Sequence, residues 1–483
     1  MNDSSKSYRR ILTSTSITGG ASVINILIGI VRTKVVAILL GPVGIGLIGL
    51  YQAFVLTATT TAGLGIATAA SREIAQANGR EDRHAIAVTR RALFLGTVLL
   101  AVMGGLMVWL LREVLATHII GNKAQSSAVG WLAIAVSLSV VSASQMAVVQ
   151  GMRQIAELAK LTVFSALLGA IGGLAVIWKF GQEGLVVFVI VAPAASVCVG
   201  LYFVRGSASL SIFGFKFSSV VSNLGVMAKL GLALFAYTIL EQITFLIIRA
   251  NIGNTLGIAE LGYFQAGWTM AVMYLGVITG AMSSDFLPRV AERTGDYINI
   301  NKLINHQTEI GLLIATPVII VMIGYTPIII GLMYSNKFSG SVDLIRLLLL
   351  VDILKLISWP IGIALLGMGD SAAFARQGPV QLAILFAAFY FMLPYMGLLS
   401  VGLALLIMQG ISFIWGYKYI FAKTGFRLEK KIQQLFLFSW ALMVTTYFVC
   451  TSNEVIGAIT ATLIALAMTV FSYKDIRRKL KKI

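Results

Sequence analysis

The stretch Ser16–Gly46, SITGGASVINILIGIVRTKVVAILLGPVGIG, decides how the rest of the chain is read. Its apolar run begins near Ile11 and ends at a Gly41-Pro42 turn. That length spans a bilayer, for which a helix needs roughly 20 residues. Yet Arg32 and Lys34 sit well inside it. A guanidinium in the hydrocarbon region costs about 2.5–3.5 kcal/mol on insertion scales, so such a residue is expected to face protein or water. Asn25, about two helical turns before Arg32, falls on the same face, and that face is expected to line a polar cavity inside a membrane bundle. The competing reading is that Lys34, and less easily Arg32, snorkels to the headgroups.

Composition agrees with this first helix. Of 483 residues, 58% are hydrophobic and 12% charged, with a mean hydropathy of +0.90. These values exclude a soluble domain of this size and give an all-α integral membrane protein. The alternating pattern of a membrane barrel is absent. Apolar runs of spanning length recur roughly fourteen times, from 11–40 and 47–72 through 227–252, 261–288 and 343–368 to 433–451 and 456–473.

The net charge of +18 would point to nucleic acid in a soluble chain. Here the cations collect in alternate loops: Arg9 and Arg10; Arg72, Arg80, Arg83, Arg90 and Arg91; Arg153 and Lys160; Arg289 and Arg293; Lys423 to Lys431; and Lys474 to Lys482. The positive-inside rule and anionic lipids account for that pattern without nucleic acid, and they place both termini in the cytoplasm. Cys198 and Cys450 lie in apolar runs, and the three histidines are dispersed, so no disulfide framework or metal site is implied. The first helix is too long for a signal-peptide core and is expected to be retained.

A weak internal repeat divides the chain. An apolar-apolar-Arg step ends at Arg32 and again at Arg249. Tyr51-Gln52-Ala53 is echoed by Phe264-Gln265-Ala266, and Asn122-Lys123 by Asn336-Lys337, all at offsets of about 215 residues. Both halves enter from the same side, which makes the repeat parallel, as in transporters with a central site at the repeat interface. The expected organisation is a six-helix bundle at 1–204, an interfacial linker at 205–226, a second six-helix bundle at 227–422 around a central cavity, and two additional helices with a basic tail at 423–483.

Intramembrane charge beyond Arg32 concentrates in two crossings. Glu241 and Arg249 lie eight residues apart, on one side of a helix. Asp352 and Lys355 stand at i, i+3 and can pair within theirs. That pair is either a neutralised structural charge or, with Glu241, a coupling or gating group for H⁺ or Na⁺. Arg346, near the outer end of the same helix, is expected to snorkel. Thr57 and Thr61 share a face and are expected to bond their own backbone. Ser283, Ser284 and Asp285, ahead of Pro288, make a candidate polar gate. No nucleophile elbow, metal cluster or Walker loop occurs, which argues against an enzyme.

Four segments carry a family resemblance: LGPVGIGLIGLYQAF (Leu40–Phe54), GLGIATAASREIAQ (Gly63–Gln76), QGMRQIAELAK (Gln150–Lys160) and YSNKFSGSVDLIRLLLLVDILKLISW (Tyr334–Trp359). They resemble the Wzx-type lipid-linked oligosaccharide flippases, the O-antigen and lipid III exporters of the polysaccharide branch of the MOP superfamily. The resemblance runs from about Lys34 to Arg427 and covers the twelve helices usual in that family; the last two crossings depart from it. It implies an undecaprenyl-pyrophosphate-linked oligosaccharide as substrate, moved across the bacterial inner membrane by alternating access without a cofactor. It also implies membrane lipids, and the polymerase and chain-length proteins of glycan assembly, as partners. On this reading Arg32, Lys34 and Arg249 meet the diphosphate, Gln52, Tyr263 and Gln265 lie near the sugars, and Asp352, Lys355 and Glu241 serve coupling or gating. Two other readings stay open at this point: a multidrug or cation antiporter of the same superfamily, and a non-transporting scaffold for glycan polymerisation.

Overall fold

The computed structural model describes residues 3–205 and 217–480, all helix, turn and loop, with no strand among them. In order these are α1 (Asp3–Gly63), α2 (Ile66–Gly79), α3 (Arg83–Leu110), α4 (Arg112–Leu115), α5 (Ser126–Gly151), α6 (Ile155–Phe180), α7 (Leu185–Arg205), α8 (Phe217–Thr255), α9 (Ile258–Ala291), α10 (Tyr297–Met333), α11 (Val342–Gly367), α12 (Ser371–Met396), α13 (Leu399–Thr424), α14 (Lys430–Ser452) and α15 (Glu454–Leu480). Twelve apolar stretches qualify as spans. Two of them, Ile17–Gly63 and Ile155–Arg205, are 47 and 51 residues long and so hold two crossings each, which gives fourteen. The chain is a multi-pass membrane protein.

The break inside α1 falls where the sequence places it. Gly41 has φ 65° and ψ −164°, a conformation open to glycine and closed to residues with a Cβ, and Pro42 then starts the next helix. The second crossing stops earlier than its apolar pattern suggests. Leu64 (φ 48°) and Gly65 (φ 66°) are both left-handed, so α1 ends at Gly63 and the separate helix α2 follows.

The chain folds as two compact units, Met1–Leu261 and Gly262–Ile483. Helix α8, which the sequence places at the head of the second half, packs on α1, α2 and α3 and falls in the first unit. Of the expected 205–226 linker, 206–216 lie outside the described residues, and helix resumes at Phe217.

Within the first unit the core is built from small and branched apolar side chains. Ile66, Ala69, Ala70 and Ile74 of α2 meet Ala92 and Leu93 of α3, Ala147 and Val148 of α5 and Met227 of α8. A Cβ at Gly104 would stand 2.7 Å from Ala62, and one at Gly173 would stand 2.9 Å from Phe188. In lipid no hydrophobic force brings helices together, so backbones approach through small residues and gain dispersion energy and short polar bonds. One such bond is Ser137 Oγ donating to the Ala101 carbonyl at 2.7 Å. Thr57 follows the same logic. Its hydroxyl bonds the Ala53 carbonyl at 2.8 Å and reaches the Gln242 carbonyl of α8 at 3.3 Å.

The second unit is organised on α11, which is buried along most of its length and packs on α10, α12, α13 and α14. The two additional helices lie against α10. There a Cβ at Gly324 would meet that of Ala461 at 2.3 Å, and the hydroxyls of Tyr325 and Thr462 are 2.8 Å apart.

Candidate functional site

In the first unit, α1 carries Arg32 two turns before the Gly41 break. Arg32 is half-buried, and its guanidinium lies over the Phe188 ring of α7 at 5.8 Å. A cation over an aromatic face is attracted by the ring quadrupole, more strongly where water is excluded. Lys34 and Gln52 are also half-buried, while Tyr51 beside Gln52 is buried. The Tyr51 hydroxyl donates to Gln125 Oε1 at 2.9 Å. The buried Asn25 Oδ1 has no hydrogen-bond partner among the described residues.

Helix α8 carries Glu241, half-buried, and Arg249, only 8% exposed. Arg249 Nη1 donates to the Phe245 carbonyl one turn back at 3.2 Å, and its guanidinium lies 5.9 Å from the Phe245 ring centroid. A charge this enclosed is tolerated only with acceptors and π-faces about it.

In the second unit, α11 forms the intrahelical pair read from sequence. Asp352, 0% exposed, accepts from Lys355 Nζ at 2.9 Å and from the Tyr274 hydroxyl of α9 at 2.7 Å. Nothing in the sequence singles out Tyr274. It is one aromatic among many in an apolar helix, and only the packing of α9 on α11 reveals it. Lys355 keeps part of its surface open, and one turn on, Ser358 bonds Gln409 of α13. Tyr263 packs edge-on against Phe338 at 6.3 Å, and Gln265 donates to Thr269 at 3.3 Å. Thus the structure unites Asp352, Lys355 and Tyr274, while Tyr263 and Gln265 occupy their own aromatic and polar settings on α9.

Arg346 differs from its expectation. It is 2% exposed, not snorkelling. Nε donates to the Ile323 carbonyl of α10 at 3.2 Å and Nη1 to the Cys450 carbonyl of α14 at 3.3 Å. Pro327, four residues after Ile323, lacks the N–H that would otherwise bond that carbonyl, and Arg346 and the Thr326 hydroxyl, the latter at 3.1 Å, take its place. The side chains of Ser283, Ser284 and Asp285 lie outside the described residues.

One face of α10 carries polar residues that hydropathy does not flag. Asn301 Nδ2 donates to the Thr424 carbonyl at 3.0 Å. Asn305 Nδ2 donates to the Arg427 carbonyl at 3.1 Å, and Asn305 Oδ1 accepts from the Glu429 N–H at 3.1 Å. Glu309, 3% exposed, pairs with Lys431 of α14 at 3.0 Å and with Lys479 of α15. The spacing i, i+4, i+8 is the signal in the sequence that could have found them. Nearby, outside the spans, Asp370 accepts from Lys423 and from Tyr419 at 2.8 Å. The Lys423 hydrogen bond, then that of Tyr419, pulls its carboxyl down to about 2.

The model of a family described as polysaccharide biosynthesis protein matches residues 35–343. The chain belongs to this family. This polysaccharide biosynthesis family member is 21% identical over 391 residues to the lipid III flippase of Escherichia coli (strain K12), a match covering 79% of this chain and 91% of that protein. Its fold is similar to that of the lipid II flippase MurJ in an inward-closed conformation (TM-score 0.72, 14% identity, 95% of this chain and 99% of that one). It is also similar to an inward-facing multidrug resistance MATE transporter of the MOP superfamily (TM-score 0.65, 17% identity, 82% and 95%).

Proposed function

We propose that this family member is a flippase that carries an undecaprenyl-pyrophosphate-linked oligosaccharide from the inner to the outer leaflet of the bacterial inner membrane. The polyprenyl chain can remain in the bilayer throughout. The diphosphate and sugars cannot, so the protein must supply them with charge and water-like contacts in exchange for hydration. The observation that carries this reading is the sheltering of guanidinium groups within spanning helices of the first unit. Arg249 is buried on α8, and Arg32 is half-buried against Phe188. A phosphate about 4 Å from such a cation gains roughly 4 kcal/mol at an effective dielectric of 20, enough to offset part of its desolvation.

Arg32, Lys34 and Arg249 are assigned to the diphosphate. Gln52, Gln265 and Tyr263 are assigned to the sugars, Gln52 and Gln265 in equivalent places of the repeat. The Asp352–Lys355 pair and Glu241 are assigned to gating or to H⁺ or Na⁺ coupling, with no bound cofactor. Both termini lie in the cytoplasm on the positive-inside pattern, and polymerase and chain-length proteins are its partners in glycan assembly. Alternating exposure of the two membrane faces follows from the repeat architecture. The likeness to the lipid III flippase over 91% of that protein's length supports the substrate class.

The test is glycan export in cells lacking the native protein. Arg32→Ala and Arg249→Ala should each lower surface glycan at least about tenfold, the scale of one lost charge-assisted contact, while the variants insert at wild-type levels. Wild-type export from the double variant overturns the assignment. Loss of drug efflux in the same strains, with glycan unchanged, would favour an antiporter.

A further inference from the structure

The last turns of α15 present two faces with opposite fates. One face is fastened down. Ser472 Oγ donates to the Leu313 carbonyl of α10 at 2.8 Å, Asp475 accepts from Lys431 of α14 at 2.9 Å, and Lys479 pairs with the buried Glu309 of α10. The spacing 472, 475, 479 keeps all three on one side of the helix.

The other face is open. Thr469, Val470, Tyr473, Lys474, Arg477 and Arg478 line a shallow concave surface of about 650 Å³. Tyr473 is 61% exposed. Among the described residues, Lys474, Arg477 and Arg478 have no ion-pair partner, although carboxylates lie within a turn on the fastened face.

Depth places this surface at the headgroups. The exposed apolar side chains Val455, Ile456, Ile459, Leu463, Leu466, Val470 and Phe471 mark the lipid-facing length of α15. A hydrocarbon core takes about 20 helical residues, so a span that starts at Val455 leaves the acyl region near Lys474. Tyrosine suits that boundary, and the cations lie just beyond it. A vertical strip thus runs from apolar (Val470) through amphipathic (Tyr473) to three cations, the order of groups along a phospholipid.

We propose that this face of α15 is a binding site for an anionic phospholipid, its phosphate held by Lys474, Arg477 and Arg478 and its glycerol and upper acyl chain against Tyr473, Val470 and Thr469. The fastened face is what makes it a site and not a charged tail. With Asp475 and Lys479 locked to neighbouring helices, the three cations are presented without the ordering cost of a free helix end. Each cation near an anionic surface adds a comparable electrostatic increment, so removing all three should weaken binding roughly tenfold to a hundredfold.

Native mass spectrometry of the purified full chain, titrated with phosphatidylglycerol and separately with phosphatidylcholine, tests this. Phosphatidylglycerol adducts should be retained selectively. They should fall at least about tenfold in Lys474→Gln/Arg477→Gln/Arg478→Gln and stay unchanged in Arg72→Gln/Arg80→Gln/Arg83→Gln, which removes three cations elsewhere. Lys479→Gln, which leaves the outward cations in place, should also lose adducts, about threefold or more. Equal loss in the two triple variants would mean diffuse attraction and overturns the site, as does wild-type retention in the first. Should the α15 triple variant not insert, thermal stabilisation of the wild type decides. A shift with phosphatidylglycerol matched by phosphatidylcholine overturns the proposal, and a shift with phosphatidylglycerol alone supports it.

Discussion

Arg249 and Arg346 are both arginines buried inside spanning helices, and they are held differently. Arg346 bonds carbonyls of two other helices, Ile323 on α10 and Cys450 on α14, with Asp343 at 3.8 Å on its own. It ties three helices together, and one of its acceptors is a carbonyl that Pro327 leaves open. Arg249 Nη1 donates one turn back on its own helix, to the Phe245 carbonyl, and its guanidinium lies 5.9 Å from that residue's ring centroid. Burial alone therefore does not tell a structural charge from a working one. At Arg346 the charge spans helices through fixed backbone acceptors, where any ligand would have to break the fold to reach it.

That contrast breaks most sharply at Arg346. Arg346→Met should remove two interhelical bonds, costing about 3–5 kcal/mol and lowering the thermal midpoint of the detergent-solubilised protein by several degrees. Full stability with abolished export would show Arg346 to be a working charge and erase the distinction. Asp352 tests the intermediate case, since it is bonded both within α11 and to α9. Asp352→Asn should cost about 2–3 kcal/mol, because Lys355 loses its counter-charge. Asp352→Asn/Lys355→Met should recover much of that, and a double-mutant cycle measures the coupling. Additive losses would mean that the pair is not energetically linked.

Smaller effects sharpen the edges of the comparison. Asp370 is outside the spans, and its depressed carboxyl favours the folded state at neutral pH. That contribution is present above the ordinary value of 3.8 and is lost as pH falls toward about 2. Asp370→Asn should flatten the stability profile in that window by less than about 1 kcal/mol, given partial screening by solvent, as read by unfolding midpoints between those pH values. Thr57→Val should shift stability by less than about 0.5 kcal/mol, since the hydroxyl mainly bonds its own helix. A large export defect from that change would move Thr57 from packing to function.

The fold is legible because the bilayer imposes a length on every apolar run, and because Gly41-Pro42 and the Asn-Lys steps mark turns by their chemistry. Asn122 and Asn336 do lead into short 3₁₀ turns of their respective units. The early end of the second crossing is not legible. Leu64 is an ordinary apolar residue, and nothing in its type marks the left-handed backbone it adopts. The Asp352–Lys355 pair can be read because helix geometry alone brings i and i+3 together. Tyr274 cannot, because its partner lies 78 residues away and hydropathy carries no signal for that pairing. Arg346 is misread for a related reason. Position along one helix sets its expected depth, while its acceptors belong to two others.

Glu309 and Arg346 have an implication for how helices are added to a membrane protein. If α14 and α15 were deleted from the gene, a buried carboxylate and a buried guanidinium would be uncovered, each stripped of partners those helices provide. A shorter relative with twelve crossings should therefore differ at these two positions as well as in length. The ancestry of the extension should be visible in residues far upstream of it.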